Sequence, residues 1–133
     1  MTVDPKLLGA WRRASFEAAG VVIKIGQRSA PLDRLLADLK VAEAVFVGAW
    51  NPYGRKVPHG TNERMELRLN EYAARFPSCK GSGFGPRWRE AHLFLAVPRS
   101  RGLVIARRFR QAAIVQIRRA QPARLVFVPT AKA

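Results

Sequence analysis

A chain of 133 residues, 48% of them hydrophobic, is long enough to bury a single core and too apolar for wholesale disorder. Its formal charge is +15, and its one cysteine, Cys79, excludes an internal disulfide and a cysteine-based metal cluster. The apolar runs are strand-sized, short of the roughly 20 residues that a bilayer span needs.

Asp4 reads as an N-cap with Pro5 at the first helical position. Leu7, Leu8, Trp11 and Phe16 supply an apolar face for a helix over Pro5 to Ala19, closed by Gly20. With no apolar leader stretch before it, a secretory signal is not expected, and a single unpaired cysteine fits the cytosol. Val21 to Ile25 is a β-branched run and hence a strand. Leu32, Leu35, Leu36 and Leu39 predict a second helix from Pro31 to Lys40, with Ser29 or Ala30 in the cap region.

Val45 to Trp50 is apolar at every position, the pattern of a strand covered on both faces at the centre of a sheet. A polar loop, Asn51 to Gly60, follows. Met65, Leu69, Tyr72 and Phe76 then predict a helix from Thr61, as N-cap, to Phe76. The glycines of Pro77 to Arg89 read as a long loop. His92 to Val97 is a strand, Ser100 caps a helix to Arg110, and Ala112 to Ile117 with Ala123 to Val128 form a closing antiparallel hairpin. The expected architecture is α/β or α+β: a single domain, residues 1–133, with a mixed sheet of about five strands packed by helices.

The chemistry-bearing candidates are sparse. Lys80-Gly81-Ser82-Gly83-Phe84-Gly85 does not run into a helix, as a phosphate-binding loop must. His59 and His92 have no carboxylate at ligand spacing, so neither a metal nor another cofactor is expected. Lys80 beside Cys79 can lower the thiol pKa.

Asn51 ends the central strand, where a ligand can sit beyond the strand's carboxyl end; an Asx turn before Pro52 is the competing reading. Asn62 falls in the first turn of a helix, where free amides attract anions, or serves there in capping. Glu90 is either a general base or the ion-pair partner of one of many arginines. Gln111 lies between a helix and a strand, tying backbone groups together or pointing into a site. No strong nucleophile–base pair is visible, which makes catalysis the weaker reading of such a site.

Taken in order, these residues resemble a bacterial family, domain-of-unknown-function family 3293. Gly48-Ala49-Trp50-Asn51-Pro52 is similar to its strand ending in Thr-Ala-x-Asn-Pro, Asn62 and Leu69 to its helix start, and Trp88 and Glu90 to its Trp-x-Glu. Phe109-Arg110-Gln111-Ala112-Ala113-Ile114 stands where the family has Phe-Gly-Gln-Asn-Ala-Ile, so Arg110 replaces a glycine and Ala112 an asparagine. The resemblance spans about 21–128. It implies a shared site around Asn51, Asn62, Trp88, Glu90 and Gln111, altered here at Ala112, and no particular reaction.

Charge supplies the other expectation. Arginine provides 18 of the 24 basic residues, and nine basic residues follow Glu90, the last acid. Arg107, Arg108, Arg110, Arg118 and Arg119 are the candidate anion contacts, with RNA, DNA or a phosphate-bearing ligand as partner and no membrane. Trp50, Tyr53 or Trp88 could stack on bases. A GC-rich coding sequence produces the same arginine excess without selection for binding. The alternatives are a small enzyme or ligand-binding domain, and a protein-interaction accessory domain.

Overall fold

The computed structural model describes residues 4–129, which leaves Lys132 of the basic set outside the described residues. The first helix, α1 (Pro5–Arg13), is capped as expected: the Asp4 carboxylate accepts from the Lys6 N–H at 2.8 Å. It stops well before Ala19. Ala14 turns extended (φ −66°, ψ 155°), and the chain continues as β1 (Ser15–Ala18), with Phe16 and Ala18 buried at alternate positions. Ala19 and Gly20, both at positive φ (51° and 79°), make a tight hairpin turn into β2 (Val21–Lys24) rather than a helix end.

Helix α2 (Ala30–Asp38) follows, with the Ser29 hydroxyl accepting from the Leu32 N–H at 3.1 Å. Strand β3 (Glu43–Gly48) is buried from Ala44 onward. A short 3-10 turn, Pro52–Gly54, leads to α3 (His59–Ala73), which begins before Thr61, with Pro58 at the cap position. The stretch expected as a Gly-rich loop is a strand, β4 (Ser78–Gly85), hairpinned onto β5 (Trp88–Leu95). Helix α4 (Arg99–Arg108) is capped from a distance: not Ser100 but the Glu43 carboxylate accepts the Arg99 N–H at 2.9 Å. Strands β6 (Ala113–Arg118) and β7 (Arg124–Phe127) form the expected antiparallel hairpin.

The sheet has seven strands in the order β2-β1-β4-β5-β3-β6-β7, and every neighbouring pair is antiparallel. The fold is therefore α+β, and the expected mixed sheet of about five strands is corrected. Two strands beyond those expected, β1 and β4, enlarge the sheet, and helical crossovers do not make parallel neighbours in it. Strands β3 and β4 run the same way, as do β5 and β6, yet each helical crossover skips one strand. β5 lies between the first pair and β3 between the second, so no two parallel strands touch. Segments β3-α3-β4-β5-α4-β6 thus have the connectivity of a split βαβ, ferredoxin-like unit.

The sheet curls until its two edges meet at one end. The Gly26 N–H donates to the Ala123 carbonyl and the Ala123 N–H to the Gln27 carbonyl, each at 2.8 Å. On the convex face, Val45, Val47, Leu93, Leu95 and Ile114 pack with Leu69 and Ala73 of α3 and Ile105 and Ala106 of α4. On the concave face, Phe16, Phe46, Phe94, Val115 and Ile117 cluster with Leu32 and Leu36 of α2. β3 is covered on both sides, as its uninterrupted apolar run predicts. Helix α1 lies on the concave side with no fully buried residue. Among the described residues, no helix is long and apolar enough to cross a membrane.

Candidate functional site

A cavity of about 510 Å³ opens on the concave face, between the sheet, α1 and the turn after β3. Its size falls within the range of small-molecule sites. Asn51, Asn62, Trp88, Glu90 and Gln111, which come from four separate stretches of sequence, all line it. The turn after β3 brings Asn51, α3 brings Asn62, β5 brings Trp88 and Glu90, and the α4–β6 connection brings Gln111. Because the sheet is antiparallel, the rule that ligands sit at strand carboxyl ends does not account for this position. Curling does, by enclosing space over one face.

Hydrogen bonding divides these residues into scaffold and free groups. Asn51 adopts the left-handed conformation (φ 47°, ψ 72°), which asparagine tolerates better than most residues. Its backbone N–H donates to the buried Asn62 Oδ1 at 2.9 Å, and Asn62 Nδ2 donates back to Asn51 Oδ1 at 3.1 Å. The Val57 N–H also donates to Asn51 Oδ1, at 3.2 Å. Asn62's own backbone N–H is spent on the Pro58 carbonyl at 3.2 Å, so it is no free helix-terminal donor. Gln111 Nε2 donates to the carbonyls of Trp50 and Phe109, each at 3.1 Å. Both partners are acceptors, so the nitrogen must face them, and Gln111 Oε1 remains as an acceptor.

What this scaffold leaves for chemistry is Glu90. Its side chain is half-buried in the cavity wall beside Asn51, and no arginine pairs with it. Burial pushes its pKa up to about 7, against a smaller downward pull from Asn51. The ion pair with an arginine is not formed: among the described residues, the one acid–base side-chain contact is His59–Glu63, at 2.6 Å on the surface, so His59, contrary to the sequence reading, does have a carboxylate one helical turn on.

Two residues along is His92, which the sequence places at the start of a strand. His92 sits within β5 on the same face as Trp88 and Glu90, stacked on Phe16 at 6.0 Å between ring centroids. Its Nδ1 is buried without a hydrogen-bond partner, and burial lowers its pKa to about 4, which keeps the ring neutral. Gly48 on β3 and Gly83 on β4 make room for it, since a β-carbon on either would strike the ring. On the bare face of β4, Gly83 leaves room for the His92 ring and Gly85 for the Trp88 ring, while Gly81 lies against the Glu17 carbonyl and Phe46. That period-2 spacing, with the alternation Trp88-x-Glu90-x-His92, was the signal in the sequence that would have added His92 to the site. Lys56, Trp11, Phe16 and Phe46 also line the cavity, and no sequence pattern singled them out for it.

Cys79 lies in β4, and its pKa is raised, by burial first and then by the charge of Glu17, opposite to what Lys80 suggested. Among the described residues, no cluster of histidine, cysteine and carboxylate side chains could hold a metal ion. The five candidate arginines do not form one patch. Arg107, Arg108 and Arg110 lie at the C-terminal end of α4, with Arg108 over the Tyr72 ring at 4.8 Å. Arg118 and Arg119 lie at the far end of β6, roughly 20 Å away at about 3.4 Å per strand residue.

The two departures from the family pattern take on structural meaning here. Arg110 sits at φ 56°, where a glycine is at ease and an arginine is strained by about 1 kcal/mol. Ala112 is buried in the cavity wall, so the position of the family's asparagine belongs to the site itself.

Neither a curated protein nor a solved structure matches the chain. A family described as a protein of unknown function, DUF3293, matches residues 47–114, a narrower span than the resemblance suggested but one that holds all five lining candidates. With just over half of its length matched, the chain belongs to the DUF3293 family.

Proposed function

We propose that this protein is a small-ligand-binding domain whose concave cavity takes a planar, largely apolar molecule and engages it at Glu90. The observation that carries the reading is the convergence of Asn51, Asn62, Glu90 and Gln111 on one cavity. Indole and phenyl rings of Trp11, Trp88, Phe16 and Phe46 supply apolar wall, and the Glu90 carboxyl and Gln111 Oε1 supply directional contacts. Asn51 and Asn62 hold the wall in place by bonding each other. A cytosolic setting fits the lone Cys79.

Neutral fused heteroaromatics such as indole and benzimidazole are expected to bind, read by ligand-observed NMR. Filling the wall with Ala112→Phe should abolish that binding while circular dichroism stays native. Equal binding to both proteins would place the compounds elsewhere and sink the reading.

A second reading, polyanion binding, draws on a different observation. With a single histidine–glutamate ion pair among the described residues, the arginine charge is left uncompensated at the surface. Attraction of RNA or DNA should then weaken by at least tenfold between about 50 and 200 mM salt. Binding that ignores salt would remove it. The separation of the α4 and β6 arginines argues for a diffuse field rather than a built groove.

A further inference from the structure

We infer that Glu90 is a proton-transferring catalytic residue, moving a proton between two positions of one planar, unsaturated substrate bound in the concave cavity. The inference rests on the small-ligand reading of that cavity and adds a reaction to it. Three observations support it beyond the cavity itself.

First, the polar network has one output. Gln111 holds the Trp50 carbonyl, the next peptide N–H is held by Asn62, and the Asn51 side chain that this turn positions lines the cavity beside Glu90. Three polar side chains thereby fix the wall around one carboxyl, which has no cationic partner among the described residues. A carboxyl kept merely for stability would be paired or solvated.

Second, a second proton-active group stands beside it. His92, neutral, shares the face of β5 two residues on, and its ring leans toward Gly83, the residue directly across from Glu90. The unpartnered Nδ1 is 3.0 Å from where a β-carbon of Gly83 would stand.

Third, the surroundings suit a base that must act near neutral pH. Burial sets the Glu90 carboxyl to half-ionise at about 7, where a general base combines availability with strength. The charged or titratable side chains that share the cavity are Lys56 after the 3-10 turn, His59 in the first turn of α3, and Arg89 and His92 on β5. Arg89 is engaged with Ser82 Oγ at 2.6 Å and lies over the Phe84 ring. From α1, β1, β3, β6 and β7, the lining is apolar.

The step balances without a co-reactant. The Glu90 carboxylate takes a proton from a C–H or N–H next to an unsaturated group. The bonding pair moves into that group and its charge rests on a heteroatom, with Lys56 an available cation of the lining. The carboxylic acid then returns the proton to that heteroatom or to a second carbon. Reactant and product are isomers.

A suitable probe is 5-nitrobenzisoxazole, a planar heteroaromatic whose C–H proton a carboxylate removes as the N–O bond breaks, releasing a coloured nitrile phenolate. Wild type should turn it over with kcat/KM at least about 10²-fold above Glu90→Gln. The rate should rise with pH to a plateau with a midpoint near 7. Glu90→Asp should keep part of the activity, and Arg34→Ala, on the exposed side of α2, should leave it unchanged.

Quenching of tryptophan fluorescence measures probe binding separately. Binding by both wild type and Glu90→Gln with equal turnover, or none above acetate at the same concentration, overturns the catalytic role and leaves the cavity reading standing. No binding to wild type overturns the cavity reading and the proton transfer with it.

Discussion

Replacing Gly83 with alanine should lower the unfolding free energy by about 3 kcal/mol, an overpacking cost at the upper end of what one added methyl group inflicts. The added carbon would lie 2.5 Å from His92 Cε1, 3.0 Å from Nδ1 and 3.2 Å from Phe16 Cε1. The ring cannot step aside. On its other flank is Gly48, where a β-carbon would meet His92 Cδ2. Its face is stacked on Phe16, which is itself tilted against Phe46 at 5.8 Å.

Removing the ring should therefore remove the penalty. In the His92→Ala background, Gly83→Ala should cost less than about 1 kcal/mol, giving a coupling energy of about 2 kcal/mol in a double-mutant cycle. Urea denaturation of the four proteins measures it. Additive effects would mean that the glycine is required for its backbone and not for the imidazole, and the account of β4 as a bare face would fail.

Glu90→Gln should stabilise the protein at pH 8 by about 2 kcal/mol and leave it unchanged at pH 4. Below pH 4.5, the carboxyl is protonated in folded and unfolded chains alike, so it contributes no difference. Between 4.5 and about 7, the unfolded chain releases a proton that the folded chain retains, and stability declines as pH rises. Above 7, the full penalty of a half-buried carboxylate applies. At about 1.4 kcal/mol per pH unit, that penalty is at most roughly 3 kcal/mol, and residual solvent contact reduces it.

His92 works in the opposite direction. Its folded pKa of about 4 lies below the ordinary 6.5, so its contribution is complete above 6.5 and lost as pH falls toward 4. In the wild type, the two slopes oppose one another between about 4.5 and 6.5 and flatten the profile. Glu90→Gln removes one of them, and melting temperature should then climb with pH across that window. Identical melting of the two proteins at pH 8 would show that Glu90 is not held at a cost, and the case for a functional carboxyl would lose its energetic footing. A site residue that destabilises its own fold is what a stability–activity trade-off looks like from the inside.

Several elements were legible without coordinates because their determinants are local. Asp4-Pro5 and Ser29-Ala30-Pro31 carry helix-start chemistry within four residues, and both caps are made by the expected side chains. The unbroken apolar run of β3 gave its central, doubly covered place. Errors arose where one local pattern imitated another. Phe16 continues the helical spacing of Leu7, Leu8 and Trp11, so β1 was absorbed into α1, although Ser15-Phe16-Glu17-Ala18 also alternates. Glycines at alternate positions of β4 read as a flexible loop, because glycine is depleted in strands unless something across the ladder needs the space. What needs it, the rings of His92 and Trp88, cannot be paired with β4 before the register is known.

The sequence by itself determined which residues form the scaffold of a site: the order of Asn51, Asn62, Trp88, Glu90 and Gln111 sufficed to identify the family and name five residues that line one cavity. Tertiary structure alone decided what each contributes. Strand pairing is a contact between distant segments, and the same alternation of helices and strands serves parallel neighbours or crossovers that skip a strand; only coordinates gave the second. Hydrogen bonds then separated Asn51 and Asn62, which satisfy one another, from Glu90, which does not. Partial burial, a property of the curled sheet and not of any short sequence, raised the pKa of the Glu90 carboxyl to about 7.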